Sequence, residues 1–150
     1  RSVLDSYLIQ TPDTTTSDVK TLPVVTKVSP DAKQIEDLDL AWRVCANVKS
    51  NAIVIAKDGM IVGVGAGQMS RIDSVELAIS KAQRHGHTLK GAVAASDAFF
   101  PFPDNVETLA AIGVSAIVVP SGAKKDEEVI QTADRLGIAI LFAPERHFRH

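Results

Sequence analysis

The stretch from Lys49 to Asp73 constrains the fold of this chain most. Two apolar runs, 52–56 and 60–64, flank an Asp58-Gly59 pair. Asp-Gly between such runs is the strongest short-range hairpin signal, because a type I′ turn needs positive φ at both central residues. The second run enters a glycine-rich segment, 63–67, and a helical pattern begins near Arg71. The sequence predicts a hairpin, a glycine loop and a helix start that carries an arginine, an arrangement suited to an anion.

Helical and extended segments alternate through the rest of the chain. Apolar spacing predicts helices that begin at Ser29-Pro30, at Arg71, at Asp104 and at residue 124, and later strands at 91–95, 114–119 and 138–142. Ser29 is the expected N-cap of the first helix, and Asp104 with Glu107 fits a capping box for the third. Strands that alternate with helices pair in parallel, whereas the hairpin is antiparallel. We therefore expect an α/β protein with a mixed five-stranded sheet and helices on both faces.

The first 29 residues differ in character from the rest. A short strand is expected near residues 7–9, and the polar segment 11–24 contains three consecutive threonines and two prolines. Such composition is typical of a linker or surface loop, so we expect no regular structure there. We assign residues 1–29 to an N-terminal strand and polar linker and residues 30–150 to the folded domain. A chain that begins on Arg1 is expected to be part of a longer protein.

Composition excludes several classes of partner. The formal net charge of −2 provides no overall field for nucleic acid or an anionic membrane. No apolar run approaches the roughly 20 residues that a membrane span needs. The single cysteine, Cys45, lies on the apolar face of the first helix and fits a reducing compartment. We expect a cytoplasmic protein without nucleic-acid or membrane partners.

Familiar catalytic motifs are missing from the sequence. The glycines at 63, 65 and 67 do not fit G-x-G-x-x-G, and no Walker lysine follows them. Zinc deaminases need His-x-Glu and Pro-Cys-x-x-Cys, and the chain has neither. Ser96-Asp97 lies in no G-x-S-x-G elbow. We therefore predict no bound zinc and no hydrolytic triad.

Three segments remain as candidates, each with two interpretations. The glycine loop either contacts a ligand or allows tight strand–helix packing. In the loop 99–103 the phenylalanines either stack on a heterocycle or cap the core, and Asp104 either accepts its N–H groups or caps a helix. At the terminus, Arg146 either holds a phosphate bidentately or lies on a solvated tail. Arg71 is either a ligand-binding cation or an exposed first-turn residue paired with Asp73 or Glu76.

Three motifs in order carry a family resemblance. The stretch KSNAIVIAKDG…GVGAGQMSRID, SDAFFPFPDN at 96–105 and PERHFRH at 144–150 resemble the AICAR transformylase part of the bifunctional purine biosynthesis family. This family transfers a formyl group from 10-formyltetrahydrofolate to 5-aminoimidazole-4-carboxamide ribonucleotide (AICAR), a step toward IMP. The order of elements is similar to the cytidine deaminase-like three-layer fold. The resemblance implies two such units in the transformylase domain, of which residues 30–150 would be the second.

The resemblance also implies roles for individual residues. Asn51 and Arg71 would bind the AICAR carboxamide region, Phe99 would pack on the imidazole and Arg146 would meet the phosphate. The folate side would comprise five residues: Ile72, Pro101, Phe102, Asp104 and Asn105. The family's site forms at a dimer interface, so a homodimer is implied.

One departure from the family pattern limits what this chain can do. The family's adjacent Lys-His pair handles the proton of the reacting amine, and this sequence has no Lys-His dipeptide. The chain is thus expected to be an inactive C-terminal portion that needs the preceding half of the domain, and the cyclohydrolase domain is also outside it. Two alternatives are a non-catalytic purine-nucleotide-binding module and a divergent deaminase-like enzyme.

Overall fold

A computed structural model describes residues 2–3, 6–7 and 9–150. None of the helices it describes is long and apolar enough to span a bilayer. A 3-10 turn covers Val19–Thr21. The remaining elements are β1 (Ser2–Val3), β2 (Ser6–Tyr7), α1 (Ala32–Cys45), β3 (Ile53–Lys57), β4 (Met60–Gly65), α2 (Arg71–Arg84), β5 (Val93–Ser96), α3 (Asp104–Ala111), β6 (Ala116–Pro120), α4 (Asp126–Leu136) and β7 (Ala139–Ala143).

The main sheet has five strands in the order β4-β3-β5-β6-β7. Strand β3 runs antiparallel to both β4 and β5, whereas β5, β6 and β7 are parallel. Strands β1 and β2 form a separate antiparallel pair. The central strands β5 and β6 are buried along their whole length, as expected for strands covered on both faces.

Helices cover both faces of this sheet. On one face α1 packs Leu38, Trp42 and Cys45 against side chains such as Val54 and Val118. On the other face α2, α3 and α4 form the larger core around side chains that point the opposite way, such as Ile117. The alternation of burial along each strand explains the two clusters, because successive side chains point to opposite faces. The predicted three-layer α/β class with a mixed five-stranded sheet is confirmed.

The predicted hairpin turn is confirmed at Asp58-Gly59. Asp58 has φ 54° and Gly59 has φ 75°, the two positive values that a type I′ turn requires. The carboxylate of Asp37 on α1 accepts both turn N–H groups, at 2.9 Å from Asp58 and 2.7 Å from Gly59. A local sequence signal and a long-range hydrogen-bond acceptor therefore stabilise the same turn.

Two helix starts differ from the prediction. The N-cap of α1 is Asp31 rather than Ser29, and Asp31 forms a reciprocal capping box with Gln34. The predicted capping box of α3 is wrong, because Pro103 is the N-cap and no side chain caps this helix. Asp104 instead accepts the backbone and side-chain N–H groups of Asn105.

The N-terminal segment also differs in part. The prediction that 11–24 lacks regular structure is wrong, because Val19 lies in a 3-10 turn and is fully buried against α1. Val24 forms an isolated antiparallel bridge with Leu141 of β7. Of the strand expected at 7–9, Tyr7 belongs to β2, Ile9 is not in a strand, and Leu8 lies outside the described residues.

Candidate functional site at the carboxyl edge of the sheet

One edge of the sheet collects most of the predicted site residues. The carboxyl ends of β5, β6 and β7 meet there because these strands are parallel. The start of β3 lies at the same edge, since Ile53 pairs with both Gly65 at the end of β4 and Ser96 at the end of β5. Open α/β sheets bind ligands at such an edge. We call it the carboxyl edge.

Arg71 is the centre of a polar cluster at this edge. It is the first residue of α2, whose N-cap is Ser70. Its guanidinium forms an ion pair with Asp97, and its Nη2 donates to Asn51 Oδ1 at 3.0 Å. The side chain of Arg71 is only 10% exposed and that of Asp97 is 0% exposed. The structure therefore brings the predicted pair Asn51 and Arg71 together, and Arg71 pairs with Asp97 rather than with Asp73 or Glu76.

Sequence reasoning did not assign Asp97 to a site. Its Oδ1 accepts from Arg71, whereas its Oδ2 is buried without a hydrogen-bond partner in the described part of the chain. An acidic residue directly after a buried parallel strand is a signal that could have indicated it. The peptide bond between Ser50 and Asn51, beside this cluster, is cis.

Two glycines of β4 allow α2 to approach the sheet closely. A Cβ on Gly65 would lie 1.8 Å from the carbonyl oxygen of Ser74, and a Cβ on Gly63 would lie 2.3 Å from that of Ala78. No side chain fits at these distances, so both glycines pack against α2. Gly67 differs, with φ 67° and a backbone N–H that donates to Lys49 O at 2.8 Å. Of the two interpretations, tight strand–helix packing therefore holds for Gly63 and Gly65.

Arg146 and Phe99 form the second contact at the carboxyl edge. The guanidinium carbon of Arg146 lies 4.5 Å from the centroid of the Phe99 ring, within the range of a cation–π interaction. A Cβ on Gly122, in the loop after β6, would lie 3.1 Å from Arg146 Nη2. The terminal segment is thus packed against the domain. Phe100, rather than Phe99, is the fully enclosed phenylalanine of its loop, at 2% exposure.

The five predicted folate-side residues have different environments. Ile72 is partly buried and packs against the larger core. Pro101 and Phe102 are exposed, and Lys125 Nζ lies 5.2 Å from the Phe102 ring centroid. Asn105 is 1% exposed and its side-chain N–H bonds to Asp104 at 2.7 Å. Their role toward folate stays a prediction.

Two cavities open beside the two contacts. One of about 360 Å³ is lined by Ser50, Asn51, Gln68, Met69, Phe148 and His150. Another of about 270 Å³ is lined by residues 10–15 together with Arg146 and Phe148. Phe148 borders both cavities, the one that Asn51 lines and the one that Arg146 lines. That Arg71 and Arg146 serve one cleft stays a prediction.

Comparison with known proteins gives the family. The family model described as AICARFT/IMPCHase bienzyme matches residues 1–81. The chain belongs to this family. The AICARFT/IMPCHase resemblance predicted from the three motifs is thereby confirmed.

Three relatives of this AICARFT/IMPCHase chain are each described as bifunctional purine biosynthesis protein PurH. The protein from Desulfitobacterium hafniense is 49% identical over 150 residues, which is 100% of this chain and 28% of the relative. That from Aquifex aeolicus is 47% identical over 150 residues, or 100% and 29%. That from Sorangium cellulosum is 58% identical over 127 residues, or 85% and 24%. The chain spans less than a third of the length of these relatives.

Two solved structures resemble this chain in part, at low sequence identity. The dCMP deaminase of cyanophage S-TIM5 in apo form has a TM-score of 0.49 and 16% identity, covering 75% of this chain and 98% of that chain. A diaminohydroxyphosphoribosylaminopyrimidine deaminase/reductase from Thermotoga maritima has a TM-score of 0.47 and 20% identity, covering 71% and 34%. Among the described residues of this AICARFT/IMPCHase chain, no group of three or more His, Cys, Asp or Glu side chains is placed to hold a metal ion.

Proposed function

We propose that this chain supplies part of the AICAR formyltransferase site of a bifunctional purine biosynthesis enzyme. The reaction transfers a formyl group from 10-formyltetrahydrofolate to the amine of AICAR. The observation that carries the proposal is the meeting, at one sheet edge, of the Asn51–Arg71 pair and the Phe99–Arg146 contact, in a chain that belongs to the AICARFT/IMPCHase family.

The chemistry of each group suits one part of AICAR. Arg71 is buried and fixed by Asp97, so its guanidinium is a preoriented donor for the carboxamide oxygen. Asn51 can exchange its bond to Arg71 for one to the carboxamide. The Phe99 ring offers a face to the imidazole, and Arg146 above it offers the fork that matches a phosphate. The predicted folate side, Ile72, Pro101, Phe102, Asp104 and Asn105, lies on α2, on α3 and in the loop before α3.

Transfer needs two tasks from the site. The amine of AICAR is a weak nucleophile because its lone pair is delocalised into the ring and the carboxamide. Asn51 and Arg71 can orient it, so that its nitrogen bonds to the formyl carbon as the bond from that carbon to N10 of tetrahydrofolate breaks. The amine must also lose a proton to a general base, and N10 must gain one as it leaves. A guanidinium has no acceptor atom and a neutral carboxamide is too weak a base for this proton. We propose that the rest of the domain, as a homodimer, provides that base.

Calorimetric titration of the full-length protein tests the assignment of Arg146. Arg146→Ala should weaken AICAR binding by about 1.5–3 kcal/mol, the range for hydrogen bonds to charged groups. The same change should leave binding of the phosphate-free riboside almost unaffected. Arg135→Ala, an exposed arginine on α4 paired with Glu107, is the matched control. Equal weakening of nucleotide and riboside would show that Arg146 has only a structural role.

A second candidate is a purine-nucleotide-binding module without catalysis. It is favoured by the missing Lys-His dipeptide. Mixing AICAR and 10-formyltetrahydrofolate with the 150-residue chain, and separately with the full-length protein, distinguishes the two. We expect weak binding and negligible turnover by the chain, and turnover by the full-length protein. Absence of turnover from both, with binding retained, would favour the module.

A further inference from the structure

His147 is a buried titratable residue that the proposed function does not use. It is 1% exposed, although both its neighbours, Arg146 and Phe148, border a cavity. Its ring makes an edge contact with Trp42 of α1, with centroids 4.6 Å apart and planes at 61°. Its backbone N–H donates to Asp97 O at 2.8 Å. The residue next to the predicted phosphate ligand is therefore enclosed by the core.

The same residue contacts the N-terminal segment. His147 Nδ1 lies 2.5 Å from Asp13 Oδ2. On the other side of Arg146, Glu145 accepts the backbone N–H of Ser17 at 2.5 Å and its hydroxyl at 2.8 Å. Both residues that flank Arg146 in sequence are thus bonded to segment 13–17. We call these paired contacts the tail clamp.

The tail clamp combines charge with burial. The side chains of Asp13 and Glu145 are 29% and 16% exposed, and His147 Nε2 lies 4.0 Å from Glu145 Oε1. An imidazole N–H that donates to a carboxylate in such a place makes a charge-assisted hydrogen bond, which is shorter and stronger than a neutral one. Loose terminal residues are ordinarily poorly ordered unless they are tied down. The tail clamp supplies that tie on both sides of Arg146.

We infer that His147 is a positioning residue: through its bond to Asp13 it joins segment 13–17 to the C-terminal tail and so holds the Arg146 guanidinium on Phe99, ready for a phosphate. The phosphate part of this inference rests on the proposed function. That His147 holds Arg146 on Phe99 concerns only residues of this chain, so it can be measured without a ligand.

The ligand-free test uses NMR of the arginine-labelled chain and amide hydrogen exchange. In the wild type, the ring current of Phe99 should displace the Arg146 side-chain signals. In His147→Asn and in Asp13→Asn this displacement should largely vanish, and exchange in residues 10–17 should rise about tenfold, as expected for loss of one charge-assisted hydrogen bond. His85→Asn, at an exposed helix end, and Glu36→Gln, on the exposed face of α1, are the matched controls. Asp13→Asn keeps the buried ring and so remains informative if His147→Asn unfolds.

The ligand test uses the full-length protein with AICAR and its riboside. His147→Asn and Asp13→Asn should each weaken AICAR binding about tenfold and riboside binding hardly at all, because they act through Arg146. A merely structural role would weaken both ligands alike. Arg146 signals that stay displaced as in the wild type in both variants would overturn the inference. Loss of the displacement with unchanged AICAR affinity would overturn it as well. If the wild-type protein binds no AICAR, the proposed function is wrong. The NMR result alone then decides whether His147 positions Arg146.

Discussion

Replacing Arg71 with alanine should destabilise this fold far more than replacing an exposed arginine. Arg71 is 10% exposed, and its partner Asp97 is fully buried with one carboxylate oxygen already unpartnered in the described part of the chain. Removing one partner of a buried ion pair costs about 3–5 kcal/mol, because the other charge stays buried without compensation. The alanine variant also lacks the hydrogen bond that Arg71 donates to Asn51. We expect a loss of unfolding free energy in that range.

Urea unfolding followed by circular dichroism measures this loss. With a slope of about 2 kcal/mol per molar urea, the midpoint should fall by about 1.5–2.5 M. Arg135→Ala is the matched control, since its ion pair with Glu107 joins side chains that are 67% and 52% exposed. Such a surface pair contributes about 0–1 kcal/mol, so the control midpoint should hardly move.

A double variant separates the buried charge from lost packing. Asp97→Asn in the Arg71→Ala background removes the uncompensated charge, so the double variant should be more stable than Arg71→Ala alone by over about 1 kcal/mol. A cost of Arg71→Ala no greater than that of Arg135→Ala would show that the buried charge of Asp97 does not depend on Arg71. If Asp97→Asn instead adds its full cost to that of Arg71→Ala, the two residues act independently and the same conclusion follows.

Three further predictions concern Cys45, Gly65 and zinc. Burial, followed by the Asp97 charge, raises the pKa of the Cys45 thiol well above its ordinary value. Because the folded state favours the protonated thiol, the free energy of unfolding should fall as pH rises above about 8.5. Cys45→Ala should abolish this fall, and a fall that persists in the variant would contradict its assignment to Cys45. Gly65→Ala should prevent stable folding, because the new Cβ would lie 1.8 Å from Ser74 O. Gly91→Ala has open space around its Cβ but a φ of 77°, so it should lower the free energy of unfolding, measured by thermal unfolding, by only about 1–2 kcal/mol. Equal costs of the two variants would contradict close packing of Gly65 against α2. Elemental analysis should find no stoichiometric zinc, and one zinc per chain would overturn that prediction.

Local signals account for the parts of the fold that the sequence predicted. Asp58-Gly59 specifies its turn through backbone preferences alone, and α2 runs from Arg71 to Arg84 as its apolar spacing indicated. The corrections arise where distant residues decide the outcome. Val19 stands in a polar segment, yet it is buried because α1 packs over it. A pattern within 11–24 could not indicate that contact, since its partners lie further along the chain.

The candidate site was predictable residue by residue but not as an arrangement. The motifs indicated Asn51, Arg71, Phe99 and Arg146, and the structure places them in two pairs. The partner of Arg71 was missed, because Asp97 is 26 positions away and is brought near by the pairing of β3 with both β4 and β5. Sequence spacing within the first turn of α2 indicates only partners on the same helix. An ion pair between the end of a strand and the start of a helix depends on the order of strands in the sheet, which that spacing does not give.

Gly63 and Gly65 act on the candidate site through their packing against α2. Gly63 and Gly65 are two apart on one face of β4, about 6.6–6.8 Å along a strand, and they meet the carbonyls of Ala78 and Ser74. Those two residues are four apart, about 6 Å along a helix. The matched spacings let α2 lie along β4 with the backbones in contact, while Ser74 Oγ donates to Asn51 O at 2.8 Å. A side chain at either glycine would push α2 outward and carry Arg71 away from Asp97 and Asn51. The glycine pattern thus sets where the guanidinium stands at the carboxyl edge, which is why a motif that fits no phosphate-binding fingerprint still belongs to the site.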